Sequence, residues 1–129
     1  MTGLLLDTHL LLWAVADSTR LPADARVLFA TRESPLVFSA VSILEIAIKA
    51  SRNRGDVPEP DLLRSRLLEV GLRELPVESS HAAAVRHLPP LHGDPFDRLM
   101  LAQATIEGMT LLTADRALAR YPGPIRLVT

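Results

Sequence analysis

A chain of 129 residues is long enough for one domain with its own core, and 48% hydrophobic with 22% charged residues excludes a disordered segment. The formal charge of −1 excludes a globally basic polyanion binder, so any nucleic-acid contact must come from a local basic surface or a bound metal. Cysteine is absent, which excludes disulfides, thiolate metal sites and cysteine nucleophiles.

Taken in chain order, the first element is the apolar run Leu4-Leu5-Leu6, a strand that ends at Asp7. The stretch from Gly3 to Ala16 has the apolarity of a signal segment, but Asp7 and His9 interrupt it and no basic run precedes it. It is also shorter than the roughly 20 apolar residues of a membrane span. It reads as a strand followed by a helix over 10–16, in a cytoplasmic protein with no membrane partner. A helix over 23–31 follows, then a second strand over 36–38 that ends at Ser39, then a helix over 42–51. The segment 53–60 reads as a surface loop, 61–70 as a helix, 73–77 as a strand and 79–87 as a helix. After a second loop over 87–95 come a helix over 95–107, a strand over 110–113, a short helix over 116–120 and a last strand over 125–128. Apolar strands alternating with helices predict a parallel sheet covered on both faces. No repeat or composition shift divides the chain, so 1–129 reads as a single domain.

Ligands of such sheets gather beyond the carboxyl ends of the strands. Four acids are expected there: Asp7 after the first strand, Glu45 early in the helix after the second, Asp97 at the start of the 95–107 helix, and Asp115 two residues past Thr113. Each has a structural alternative. Ser42-Ile43-Leu44-Glu45 fits a capping box. Asp94-Pro95-Phe96-Asp97 fits an N-cap, a first-turn proline and an acid at the positive helix end, with Asp94 as cap rather than metal ligand. Asp115 fits a cap on the helix after it. Asp7 resists such a reading, because a charge closing an apolar strand needs a partner. Carboxylates about 5 Å apart repel by roughly 3 kcal/mol at an effective dielectric of 20. Packing gives no reason to gather four, whereas Mg²⁺ or Mn²⁺ binds through such oxygens and can activate water for attack on phosphorus.

The motifs Leu4-Leu5-Leu6-Asp7-Thr8-His9, Ser42 through Lys49, His92-Gly93-Asp94-Pro95-Phe96-Asp97-Arg98 with Ala102-Gln103-Ala104, and Leu111-Leu112-Thr113-Ala114-Asp115 occur in this order. Together they resemble the VapC toxins, PIN-domain ribonucleases of bacterial and archaeal toxin–antitoxin pairs, over nearly the whole chain. The resemblance implies a PIN-like α/β/α sandwich with a central, mostly parallel sheet of four to five strands. It implies Mg²⁺-dependent endonucleolytic cleavage of RNA, with Mn²⁺ as substitute, a homodimer, and inhibition by a VapB-type antitoxin. It carries the catalytic site onto Asp7, Glu45, Asp97 and Asp115, with Asp7, Asp97 and Asp115 as metal ligands and Thr113 as a nearby hydroxyl. Two departures stand out: Leu44 replaces a frequent tryptophan, a change read as touching packing, and Gly93 replaces a basic residue.

The remaining candidates have two readings each. Lys49, the only lysine, fits either an i,i+4 ion pair with Glu45 or a phosphate contact. Arg98 and Arg116 fit salt bridges or phosphate contacts, and Arg52 and Arg54 fit a guide for RNA or plain solvated charge. His9 and His92 lack zinc-ligand spacing and read as loop or core histidines. Trp13 reads as core or dimer surface rather than a base-stacking platform, and the apolar surface around Trp13 and Ile46 predicts a homodimer and a groove for an amphipathic antitoxin segment. A signalling receiver would need a late lysine, and an aspartate-nucleophile phosphatase an acid where His9 stands. An inactive PIN module that binds only RNA or protein is the alternative.

Overall fold

The computed structural model describes residues 3–52, 56–91 and 93–129. Five strands, β1 (Leu4–Leu6), β2 (Leu36–Ser39), β3 (Arg73–Leu75), β4 (Thr110–Thr113) and β5 (Ile125–Leu127), form one sheet in the order β3-β2-β1-β4-β5. Every neighbouring pair is parallel. The helices are α1 (Thr8–Val15), α2 (Ala23–Thr31), α3 (Ala40–Ser51), α4 (Pro60–Glu69), α5 (Ser79–Ala84) and α6 (Pro95–Glu107). Short 3-10 turns cover Val85–His87 and Leu118–Arg120. The expected mostly parallel α/β/α sandwich is thus observed. The loop expected over 53–60 falls partly outside the described residues, as does His92 within 87–95, and Pro60 already opens α4.

Alternation of side chains along each strand builds two cores. Leu6, Leu36, Phe38 and Leu112 face one side, with Leu10 and Leu11 of α1, Ala25 of α2, Ile46 of α3 and Leu63 and Leu67 of α4. Leu5, Val37 and Leu111 face the other, with Met100, Leu101 and Ala104 of α6. Both faces of the central strands are therefore dry, which is why these strands read as unbroken apolar runs.

The order of the strands sets the site. The chain runs outward from β1 through β2 to β3, then returns to the other flank of β1 as β4 and β5. The direction of winding reverses beside β1, and the crevice at its carboxyl end is where open parallel sheets bind ligands. Asp7 and Thr113 lie at the two strand ends that border it.

Helix ends show where local rules held. Pro95 sits in the first turn of α6, and Asp94 caps it through the amides of Phe96 and Asp97, at 2.8 and 3.3 Å. Gly108 ends α6 at φ 68°, a left-handed backbone that favours glycine. The capping box expected from Ser42 to Glu45 is not formed. Helix α3 starts directly at the end of β2, and Ser39 caps it through the Val41 amide at 3.0 Å. Ser42 and Glu45 thus lie inside the helix, with their side chains free for other partners.

A buried polar chain ties α6 to this junction. Ser39 donates to Gln103 Oε1 at 2.6 Å, and Gln103 Nε2 donates to the Pro76 carbonyl at 3.2 Å. His81 lies fully buried beside it, accepts the Glu78 amide on Nδ1 at 3.0 Å, and pairs through Nε2 with Glu107 at 2.8 Å. With Nδ1 accepting, Nε2 carries the proton and donates to the Glu107 carboxylate.

Candidate active site

Asp7 is the first residue past β1 and is only 3% exposed. Its carboxylate makes two bonds: Oδ1 accepts the Leu10 amide at 2.9 Å, capping α1, and Oδ2 accepts the Thr113 hydroxyl at 2.5 Å. The second bond joins residues 106 apart in sequence across the β1–β4 boundary. Burial pushes the Asp7 carboxyl above the usual aspartate range, more strongly than the Thr113 hydroxyl, the Leu10 amide and the nearby His9 pull it down. The Asp115 charge pushes it further up, so the two acids face one another.

Asp115 is positioned by the same threonine. Its amide donates to Thr113 Oγ1 at 2.9 Å, and its Oδ1 accepts the Ala117 amide at 2.8 Å, which steadies the turn ahead of Leu118–Arg120. The expected helix over 116–120 shrinks to that single 3-10 turn, with Asp115 capping the residues before it. Thr113 therefore spends its proton on Asp7 and its lone pair on the Asp115 backbone, and fixes both.

Glu45 approaches from α3 and is 9% exposed. Its Oε1 accepts the Thr8 hydroxyl at 2.8 Å, and its Oε2 pairs with Lys49 Nζ at 3.5 Å. Thr8 also contacts Ser42 Oγ at 2.9 Å, and Ser42 reaches Met100 Sδ of α6 at 3.6 Å. This polar line runs from the residue next to Asp7, through α3, to α6. Thr8 and Ser42 were missed by sequence reading; the signal lay in hydroxyls that adjoin two of the acids. For Lys49 the ion pair is the reading observed.

Asp97 is half-buried at the third position of α6. Among the described residues, no group of three or more histidine, aspartate or glutamate side chains stands close enough to hold an ion. The structure thus joins Asp7 and Asp115 through Thr113, and links Glu45 to the same edge through Thr8. The donor chemistry fits a small hard cation. Mg²⁺ keeps several of its waters and is commonly bound through one or two carboxylates, so an all-protein cage is not required. A buried carboxylate held beside a second negative charge is the electrostatic setting that such a cation relieves.

Other expectations need correction. Arg98, read as a salt-bridge partner or a phosphate contact, is turned to partners within the fold. Its guanidinium donates to the Pro89 carbonyl and the Tyr121 hydroxyl at 2.8 and 2.7 Å, reaches the carbonyls of Val85 and Leu88, and lies over the Tyr121 ring. It is a strut that holds the loop before α6. His9 is neither loop nor core: it sits on α1, exposed, with its ring stacked on Trp13. Ile46 is fully buried in this chain's own core and offers no surplus surface, while Leu44 is half exposed and does not touch core packing. Arg116 is exposed and Gly93 adjoins open space.

A PIN domain profile matches residues 4–124. The chain belongs to the PIN-domain family. This PIN domain is similar to Ribonuclease VapC22 of Mycobacterium tuberculosis, at 34% identity over 128 residues that cover 97% of this chain and 98% of that protein, which places it with the VapC-type proteins. Its fold is similar to VapBC2 from Rickettsia felis, solved bound to a promoter DNA fragment, with a TM-score of 0.71 and 15% identity over 99% of this chain and 100% of that one. It is also similar to a toxin–antitoxin complex from Klebsiella pneumoniae, with a TM-score of 0.65 and 16% identity over 96% of both chains.

Proposed function

We propose that this PIN domain is a metal-dependent endoribonuclease and the toxin of a toxin–antitoxin pair, working in the cytoplasm. The observation that carries the reading is the Asp7–Thr113–Asp115 arrangement at the β1–β4 switch point, where a buried carboxylate is held against a second one. Asp7, Asp115 and Asp97 would hold Mg²⁺ or Mn²⁺, and Glu45 completes the catalytic set. A cation there supplies Lewis acidity toward a phosphate oxygen and a more acidic water. The chain's own groups do the rest. Thr113 fixes the Asp7 carboxylate and the Asp115 backbone, and Thr8 and Lys49 fix the two oxygens of Glu45. The oriented carboxylate of Glu45 would accept a proton from the attacking water.

The partner reading has its own support. A groove of about 410 Å³ lies among α1, α2 and α4, with Leu11, Leu21 and Phe29 in its lining and Arg26, Arg32 and Arg66 beside them. It suits an amphipathic segment with acidic flanks, as from a VapB-type antitoxin. A homodimer belongs to the same proposal and is checked by sedimentation at tens of micromolar, roughly the range for a stable interface. Among the described residues, no helix is long and apolar enough to cross a membrane.

The test is cleavage of RNA with Mg²⁺, with Mn²⁺ and with EDTA. Asp7→Asn and Asp97→Asn should each slow it at least about a hundredfold, as loss of a preorganised electrostatic group does. Full activity in excess EDTA would falsify the metal mechanism. RNA binding without cleavage in any metal would favour the inactive binding module.

A further inference from the structure

Two surface clefts meet at the same two side chains. One, of about 420 Å³, is lined by Glu45, Arg52 and Phe96 as well as His9 and Lys49. The other, of about 700 Å³, runs along α1 past Trp13 and Arg20 and includes His9 and Lys49 again. The site therefore opens into a continuous trough, with His9 and Lys49 at the junction.

At that junction lies a stacked ring pair. His9 and Trp13 are four residues apart on α1, with centroids 5.7 Å apart and planes inclined by 25°. Trp13 packs against the α1 core and is anchored there, while His9 is exposed. Core packing accounts for the tryptophan but not for a histidine laid flat over it at the mouth of two clefts. His9 is two residues from Asp7 on the same turn of chain and lines the cleft that holds Glu45, so the stack adjoins the site.

We propose that the His9–Trp13 stack is the docking platform for one unpaired base of a single-stranded RNA. The proposal rests on the ribonuclease reading for the identity of its ligand. A base in a duplex has both faces covered, whereas a splayed base can lie on an aromatic ring. Arg20, Lys49 and Arg52 in the trough are balanced by Glu45, Asp56 and Asp94. Net charge therefore contributes little, stacking supplies the affinity, and binding should depend only weakly on salt.

Trp13 is the only tryptophan, so its emission reports this place alone. The experiment titrates the full chain carrying Asp7→Asn, in EDTA to prevent cleavage, with a six-nucleotide oligoadenylate. Saturable quenching is expected, with none from a blunt RNA duplex at the same concentration. Adding His9→Ala should weaken binding about tenfold, and His9→Phe should recover most of it, in line with base–aromatic stacking. Binding of a labelled oligonucleotide without quenching, or with no loss in His9→Ala, overturns the platform. Emission that changes with protein concentration and not with RNA also overturns it, because a second copy then covers the stack. Cleavage by wild type with Mg²⁺ is scored separately. Quenching without cleavage sinks the ribonuclease reading and leaves the platform standing; cleavage without quenching does the reverse.

Discussion

Asp7→Asn keeps the shape of the side chain and removes one negative charge from the end of β1. Like charges about 6 Å apart at an effective dielectric of 20 repel by roughly 3 kcal/mol. The asparagine oxygen still accepts the Leu10 amide, and its nitrogen can donate to Thr113 Oγ1. Each bond loses its charge assistance, about 1 kcal/mol apiece. Relief of carboxylate burial adds to the gain. The balance is about 1–3 kcal/mol in favour of the variant, or roughly 3–10 °C in Tm for a domain of this size. The assay is thermal melting in EDTA across pH. In the folded protein the Asp7 carboxyl is raised, so the native state holds its proton to higher pH than the unfolded chain. Wild type therefore has its full stability below the ordinary aspartate value of about 3.9, and loses it as pH rises through the raised folded value. Variant and wild type should melt alike in acid and diverge toward neutrality. Mn²⁺ at about a hundred times its Kd should add roughly 2.7 kcal/mol to wild type and less to the variant. A variant that melts lower at neutral pH, by an amount independent of pH, would show that Asp7 acts as a helix cap and not as half of a repelling pair.

Asp97→Asn should likewise melt higher than wild type without metal and respond less to Mn²⁺; a lower melt with an undiminished response would make Asp97 a helix-end charge only. Thr8→Val strips Glu45 Oε1 of its donor and should cost about 1–3 kcal/mol together with activity, while Thr8→Ser should keep both. Gln103→Leu leaves the buried Ser39 hydroxyl without its acceptor, and chemical denaturation should show a loss of about 1–3 kcal/mol. Gly108→Ala forces a side chain into a left-handed backbone and should lower stability by about 1 kcal/mol.

The elements were legible because period and punctuation agree. The sequence reading of β1, β4, α2 and α6 matches the structure to the residue, and Asp94-Pro95 marked the start of α6 correctly. The misreadings share a cause. Ser42 and Glu45 fit a cap by spacing, but the cap is Ser39, because β2 passes into α3 without a loop and sequence spacing does not show where a strand ends. Arg98 lies beside a site acid in sequence, yet three carbonyls and a tyrosine hydroxyl claim its guanidinium. Those partners come from segments that only the tertiary fold brings together. The Asp7–Thr113 bond was hidden for the same reason: which strand flanks β1 is set by the sheet order, and nothing local to either residue states it.

The placement of β4 beside β1 also bears on how the protein is made. Asp7 is synthesised well before Thr113, which lies 106 residues further along the chain. Closing that span demands a long-range pairing, entropically costly and slow to form. Chains emerge from the ribosome amino end first, so a nascent polypeptide carries Asp7 without its counterpart until Thr113 and Asp115 have emerged. The proposed nuclease centre is thus assembled only after Thr113 and Asp115 have been made. Until that point, a ribosome making this chain would be shielded from the activity of its own product.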